Sequence, residues 1–268
     1  MGVWSEVMAP GDGVAWVTGA SAGIGRETAL ELCARGWRVA VTARKAEALE
    51  ALAEEARTQG LAGAILPFAG DVTDQAGMAA LVAAIEAEHG PLALCLLNAG
   101  VYIPMRAQEF DAGVVAKTFA VNVQGVANCL DPVLKSMIAR RRGHVAITAS
   151  VAGYRGLPRA AAYGATKAAL IHMAEALAYD LIDLNVRISV VNPGFVETEA
   201  TSVNDFKMPF VMKPDQAARR IVDGLEGPGF EIAFPRRFAL ILRTLGLLPN
   251  RAYLAVMRKL MGWGPDVS

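Results

Sequence analysis

Residues 14–25 read Val-Ala-Trp-Val-Thr-Gly-Ala-Ser-Ala-Gly-Ile-Gly. The first five are an apolar, partly β-branched run predicted as a strand, and a helical pattern begins at 23 and continues to 35. Between them the chain turns at Gly19, Gly23 and Gly25. Glycine in such a turn reaches positive φ and lets backbone approach a pyrophosphate closely. The helix that follows offers free N–H groups and a partial positive charge to that anion. Strand before, helix after and a place in the first βα unit are the context that dinucleotide binding requires. Taken alone, the stretch is also compatible with a purely structural strand–helix turn.

Outward from this unit, the pattern repeats. Strands are predicted at Arg38–Thr42, 64–68, Leu92–Leu97, His144–Thr148, 186–191 and Glu231–Phe234. Helices are predicted over 45–59, 74–88, 110–139 and 160–184, with Asp74 as the N-cap of its helix. Leu92–Leu97 is wholly apolar, as expected of a strand covered on both faces of a parallel sheet. Unbroken alternation predicts one α/β domain over 1–268, doubly wound in the Rossmann manner, with seven parallel strands. A core over about 14–198 precedes a substrate lid at 199–212, and the helical pattern after Pro235 predicts a C-terminal cap over 235–268.

Composition removes several function classes. The 268 residues carry 26 Lys+Arg against 26 Asp+Glu, which leaves no electrostatic footprint for nucleic acid. Arg140, Arg141 and Arg142 form the one basic cluster of note, expected in a solvated loop. Cys33, Cys95 and Cys129 are odd in number and widely spaced, so reduced, buried thiols are expected. His89, His144 and His172 lack metal-ligand spacing, no metal site is expected, and His172 is expected to be packed. Hydrophobic residues make up 54% of the chain, yet no stretch is long enough to span a bilayer. The apolar run 238–248, FALILRTLGLL, is expected to pack on the domain or a partner subunit, with insertion into a membrane surface as the alternative. No secretory signal is evident, and a cytoplasmic location is expected.

The sharpest chemical signal is Tyr163-Gly-Ala-Thr-Lys167. Residues i and i+4 share a helix face, so phenol and ammonium project into the same space. A free tyrosine has a pKa of about 10, and a nearby cation lowers it by stabilising the phenolate. In the reducing direction the same phenol can protonate a developing alkoxide. Ser150 ends the fifth strand, 13 positions earlier, where its hydroxyl can hold a substrate oxygen.

Thr18–Gly25 resembles the T-G-x-x-x-G-x-G signature of the short-chain dehydrogenase/reductase family, in its short single-domain branch. Ala22 disfavours the larger epimerase-type branch, which has glycine there. The resemblance extends over about 14–198. It implies that Gly19, Ser21, Gly23, Ile24 and Gly25 hold the cofactor pyrophosphate, that Asp71 and Val72 contact adenine, and that Asn98, Ala99 and Gly100 form the family's N-A-G turn. Leu97 replaces a second asparagine found before that turn in many members. Pro193, Gly194, Val196 and Thr198 resemble the turn that anchors the nicotinamide. By the same resemblance Tyr163 and Lys167 contact the cofactor, and Asn122 holds a relay water beside Lys167. Read alone, Asn122 fits equally as a polar residue that kinks its helix.

No carboxylate ends the second strand, where Thr42-Ala43-Arg44-Lys45 stands. An acid there would bond a ribose 2′-hydroxyl, whereas Arg44 offers a fork to a 2′-phosphate. NADP(H) is therefore expected over NAD(H), against the plain reading of Arg44 as a surface residue. The departure from the NADP pattern is Ala22, where many such members carry a basic residue. The expected activity interconverts a ketone or aldehyde with its alcohol by hydride transfer. A nucleotide-sensing or scaffold protein of the same fold is the alternative, but it would be free to lose Ser150, Tyr163 or Lys167. Phe206, Met208, Phe210 and Met212 suggest an apolar substrate, or equally packing against the cap. Helices 110–139 and 160–184 are more apolar than one buried stripe needs, which predicts a homodimer, with a tetramer as the alternative.

Overall fold

A computed structural model describes residues 7–202 and 208–260. The elements are β1 (Val14–Thr18), α1 (Gly23–Ala34), β2 (Arg38–Thr42), α2 (Ala46–Thr58), β3 (Ala64–Pro67), α3 (Gln75–His89) and β4 (Leu92–Leu97). There follow α4 (Ala112–Phe119), α5 (Gly125–Arg140), β5 (His144–Thr148), α6 (Ala161–Asp183), β6 (Arg187–Pro193), α7 (Pro214–Leu225), β7 (Glu231–Phe234), α8 (Arg236–Gly246) and α9 (Asn250–Leu260). All strand pairs are parallel, in the order β3-β2-β1-β4-β5-β6-β7. The order reverses between β1 and β4, and ligands bind such sheets beyond the carboxyl ends of the strands at that switch point.

Two apolar layers cover the sheet. Ala15, Val17, Val39 and Val41 face α1, α2 and α7, where they meet Leu32, Leu49, Leu52 and Ile221. Val14, Trp16, Leu97 and Ile147 face the other way, onto Met78, Ile85, Val133 and Leu170 of α3, α5 and α6. Wholly buried β1, β4 and β5 explain why these strands read as continuous apolar runs rather than as alternating ones. A third cluster of Val151, Phe238, Ala239 and Leu242 seats α8 on the domain. Among the described residues no helix is long and apolar enough to cross a membrane.

The structure alters several expectations. The helix predicted over 110–139 is α4 and α5 joined by a π-turn, Ala120–Gln124. The sequence reading assigns no element between the lid and β7, yet α7 lies there and packs against α1. His172 is exposed on α6, because its neighbours Leu170 and Ala174 take the buried face. The three arginines are tethered, not merely solvated. Arg140 donates to Glu86 and to the Leu92 carbonyl, Arg141 to the Asp183 carbonyl, and Arg142 to Asp12. Asp74 caps α3 as expected, accepting from Gly77 N at 3.0 Å. The three cysteines are buried and unpaired; burial pushes the Cys129 thiol up to about 12.

Candidate active site

The site assembles where β1 and β4 diverge. Thr18 Oγ1 accepts from Asn98 N at 2.9 Å and from Ala99 N at 3.1 Å, and Asn98 Nδ2 donates to the Thr18 carbonyl at 3.2 Å. Asn98 therefore clamps the N-A-G turn to the glycine turn, which fixes the mouth of the crevice. Gly19 has φ +69°, and a Cβ there would stand 2.8 Å from Ala99 Cα. At Gly25 a Cβ would stand 2.4 Å from the Gly19 carbonyl oxygen. Both positions exclude any larger residue.

Cofactor placement can be judged from the donors on offer. Helix α1 opens at Ala22 without a side-chain cap and with no acid in its first turn. Its first N–H groups, those of Gly23, Ile24 and Gly25, are available to a pyrophosphate. Ser21 is exposed at the tip of the turn. Thr198 closes over it from the other side; a Cβ on Gly23 would stand 3.1 Å from the Thr198 methyl. These residues fit a dinucleotide.

Beyond β3, the Asp71 carboxylate accepts from Thr73 N at 2.9 Å and Thr73 Oγ1 at 2.8 Å. These bonds, the backbone N–H first, hold its pKa below the usual value, and the charge of Arg44 adds to the effect. Arg44 itself is exposed beyond β2 and makes no ion pair among the described residues. Val72 is held by a buried bond from Asn128 Nδ2 to its carbonyl, 2.9 Å, which ties the chain after β3 to α5.

The catalytic candidates converge at the ends of β4 and β5. Ser150 follows β5, and its side chain lies close enough to the Tyr163 phenol to favour the phenolate. It also accepts from Ala152 N at 3.1 Å and donates to the Pro193 carbonyl at 3.3 Å. Tyr163 and Lys167 lie one turn apart on α6. Lys167 Nζ sits 5.5 Å from the centre of the Tyr163 ring and donates to the Thr148 carbonyl at 2.7 Å. A Cβ at Gly100 would stand 3.3 Å from Asn122 Oδ1 and 3.6 Å from Lys167 Nζ, so the N-A-G turn meets the same corner.

Burial governs both titrating groups. It pushes the Tyr163 phenol up to about 12, opposed by the Ser150 side chain and assisted by the charge of the neighbouring Tyr102 phenol. It pushes the Lys167 ammonium down to about 8. The expectation that Lys167 lowers the Tyr163 pKa finds no support in the protein alone, where burial of the phenol dominates.

Asn122 lies in the π-turn, fully buried. Its Oδ1 accepts from Val101 N at 2.7 Å, and Nδ2 donates to the Val101 carbonyl at 2.9 Å and to Thr166 Oγ1 at 3.1 Å. The side chain is therefore committed to locking the chain after the N-A-G turn onto α6.

Pro193 and Gly194 leave β6, with Gly194 N donating to the Phe234 carbonyl at 2.7 Å. Val196 is buried and its backbone bridges to Met212. Phe206 lies outside the described residues. Met208 is half-buried, and Phe210 is exposed with its ring 5.7 Å from that of Phe238.

Sequence reasoning missed Tyr102, whose ring stands edge-on to Tyr163 with centroids 5.0 Å apart. Its position just after β4, two residues past the N-A-G turn, was the available signal. It also missed Thr18 and Thr166, which orient the site without reaching its centre.

The pattern of the family described as short chain dehydrogenase matches residues 13–207. An oxidoreductase of Myxococcus xanthus is 39% identical over 246 residues, covering 92% of this chain and 96% of the relative. A short-chain dehydrogenase/reductase from Burkholderia phymatum, solved in complex with NAD, superposes with a TM-score of 0.77 at 26% identity, over 86% of this chain and 91% of the other. A single-residue variant of the actinorhodin polyketide ketoreductase, solved with NADPH, gives 0.74 at 29% identity, over 85% and 97%. The glycine turn, the N-A-G clamp and the Ser150–Tyr163–Lys167 cluster all lie within the matched span. The chain belongs to the short-chain dehydrogenase/reductase family, nicotinamide-dependent enzymes acting on CH-OH/C=O groups.

Proposed function

We propose that the protein is an NADP(H)-dependent reductase and dehydrogenase that interconverts an apolar ketone or aldehyde with its alcohol, using Tyr163 as the acid/base. The observation carrying this reading is the convergence of Ser150, at the end of β5, on Tyr163, with Lys167 one helical turn away on α6. A carbonyl oxygen between the two hydroxyls takes one hydrogen bond from each. As negative charge develops on it, Tyr163 transfers its proton and Ser150 keeps donating. At neutral pH the phenol is protonated, which suits the reducing direction.

The bound nicotinamide supplies the hydride, and its oxidised form adds a positive charge that favours phenolate in the reverse direction. Gly19, Ser21, Gly23, Ile24 and Gly25 would hold the pyrophosphate, Asp71 and Val72 the adenine side, and Lys167 the ribose. Asn98, Ala99 and Gly100 would line the crevice; Pro193, Gly194, Val196 and Thr198 would fix the nicotinamide. Arg44 would receive the 2′-phosphate. Asn122 acts here by positioning, through Val101 and Thr166.

The solved relatives bind NAD in one case and NADPH in another, and the arginine in place of a carboxylate supports NADP(H) for this chain. The Tyr102 ring and Met208 give the substrate side an apolar character. Three buried, unpaired thiols support the cytoplasm as its location. Tyr179 and Ile182 on α6 and Phe119 on α4 are exposed, which supports a dimer covering these helices. Light scattering checks this, since a 28.3 kDa particle would contradict it. A panel of carbonyls with each cofactor, followed by nicotinamide absorbance, tests the activity. Carbonyl-dependent NADPH oxidation is expected, and equal or better efficiency with NADH would overturn the cofactor assignment.

A further inference from the structure

The C-terminal helices carry a surface that hydride transfer does not use. Over 235–260 the cations are Arg236, Arg237, Arg243, Arg251, Arg258 and Lys259, with no carboxylate side chain in the span; Arg243 is paired with Glu231 of β7, and Asp266 follows the span. The chain as a whole is neutral, so this segment is set against an acidic remainder. Helix α8 buries Phe238, Ala239 and Leu242. Its opposite face presents Leu240 at 65% exposure and Leu247 at 86%, one above the other at i and i+7, with Ile241 beside them. Arg236 and Arg237 flank that line and are exposed. On α9, Tyr253 and Met257 are buried, while Arg251, Leu254 and Lys259 point outward.

We propose that the α8–α9 pair docks the enzyme on an anionic lipid bilayer, the leucines entering the acyl boundary and the arginines meeting the headgroups. Exposed apolar residues ringed by cations on short amphipathic helices are the pattern of an interfacial, non-spanning anchor. Charge selects this occupant over a second copy of the chain. A two-fold contact would bring identical cationic faces together with no carboxylate within either segment to neutralise them. A phospholipid surface offers both complements at once.

The surface also adjoins the substrate end. Phe238 lies 5.7 Å, ring to ring, from Phe195 at the nicotinamide turn and from Phe210 at the end of the lid. Docking would therefore set the entrance beside the bilayer, where apolar carbonyl compounds partition. That last point rests on the substrate class proposed above, whereas vesicle binding does not.

The test is flotation of the full chain with vesicles of phosphatidylcholine alone and of phosphatidylcholine mixed with phosphatidylglycerol, at low salt and at about 0.5 M salt. Wild type should float with the mixed vesicles at least about tenfold better than with the neutral ones, and high salt should release it. The double variants Leu240→Asp with Leu247→Asp, and Arg236→Glu with Arg237→Glu, should each lose about tenfold or more. All four residues are exposed, so unchanged melting is expected of both variants. Failure of the wild type to distinguish the two vesicles would overturn the proposal, as would undiminished binding by both variants. So would a fall in oligomer mass in Leu240→Asp with Leu247→Asp, which would make this face a subunit contact.

Discussion

The ammonium of Lys167 lies 5.5 Å from the centre of the Tyr163 ring, and burial moves the two groups in opposite directions, to about 8 and about 12. Both shifts favour the neutral forms and have consequences for stability. Below pH 8 folded and unfolded chains both carry the Lys167 proton, and the folded state bears the cost of a buried charge. Between about 8 and 10.5 the folded state releases that proton while the unfolded state keeps it, so stability rises with pH. For Tyr163 the folded state keeps its proton between 10 and about 12, and stability falls there.

Lys167→Met should therefore stabilise the cofactor-free protein at pH 7. The relief is about 3 kcal/mol, less about 1 kcal/mol for the lost bond to the Thr148 carbonyl. Urea unfolding at pH 7 and pH 10 checks this. The advantage should shrink at the higher pH, and a variant less stable than wild type at pH 7 would refute the assignment of desolvation as the dominant cause.

Asn122→Ala removes the partners of both Val101 backbone groups and of Thr166 Oγ1. The expected loss is about 2–4 kcal/mol in unfolding free energy. Because the loop after the N-A-G turn is freed, kcat should fall more than the KM for cofactor rises. A variant with wild-type stability would show that the π-turn does not depend on these bonds.

Arg44→Ala should lower kcat/KM with NADPH by about 10–100-fold while leaving NADH within a few-fold, since one charge-assisted contact to the 2′-phosphate is lost. Ala43→Asp should push in the same direction by repulsion. Equal losses with both cofactors would place Arg44 outside the 2′-phosphate site.

Tyr102→Ala removes an edge-on ring contact worth about 0.5–1.5 kcal/mol against Tyr163. The KM for a bulky carbonyl should rise several-fold with cofactor affinity unchanged. A change confined to cofactor affinity would assign Tyr102 to the wrong side of the crevice.

Much of this was legible before any coordinates, for identifiable reasons. β1, β2, β4, β5 and β7 match their predicted bounds because a sheet covered on both faces demands continuous apolar runs ended by turn residues. Ser150, Tyr163 and Lys167 converge because helix periodicity and strand-end placement are local properties. The π-turn was legible only as the kink that Asn122 suggested. Residues 119–125 satisfy α-helical spacing equally well, and the turn involves bonds from Asn122 to a residue 21 positions away. The role of Thr18 was invisible for a similar reason, as its partners arrive just after β4. Helix α7 was different: Pro214 at its start and the spacing of Ala217, Ala218, Ile221, Val222 and Leu225 are plain amphipathic signals that the lid reading passed over.

The central claim is that Tyr163 gives and takes the proton. Tyr163→Phe keeps the ring and its packing against Tyr102 and removes only the hydroxyl. Carbonyl-dependent NADPH oxidation should fall to near the detection limit, with NADPH binding, read by fluorescence titration, within a few-fold of wild type. A Tyr163→Phe enzyme that keeps most of its turnover would contradict the account.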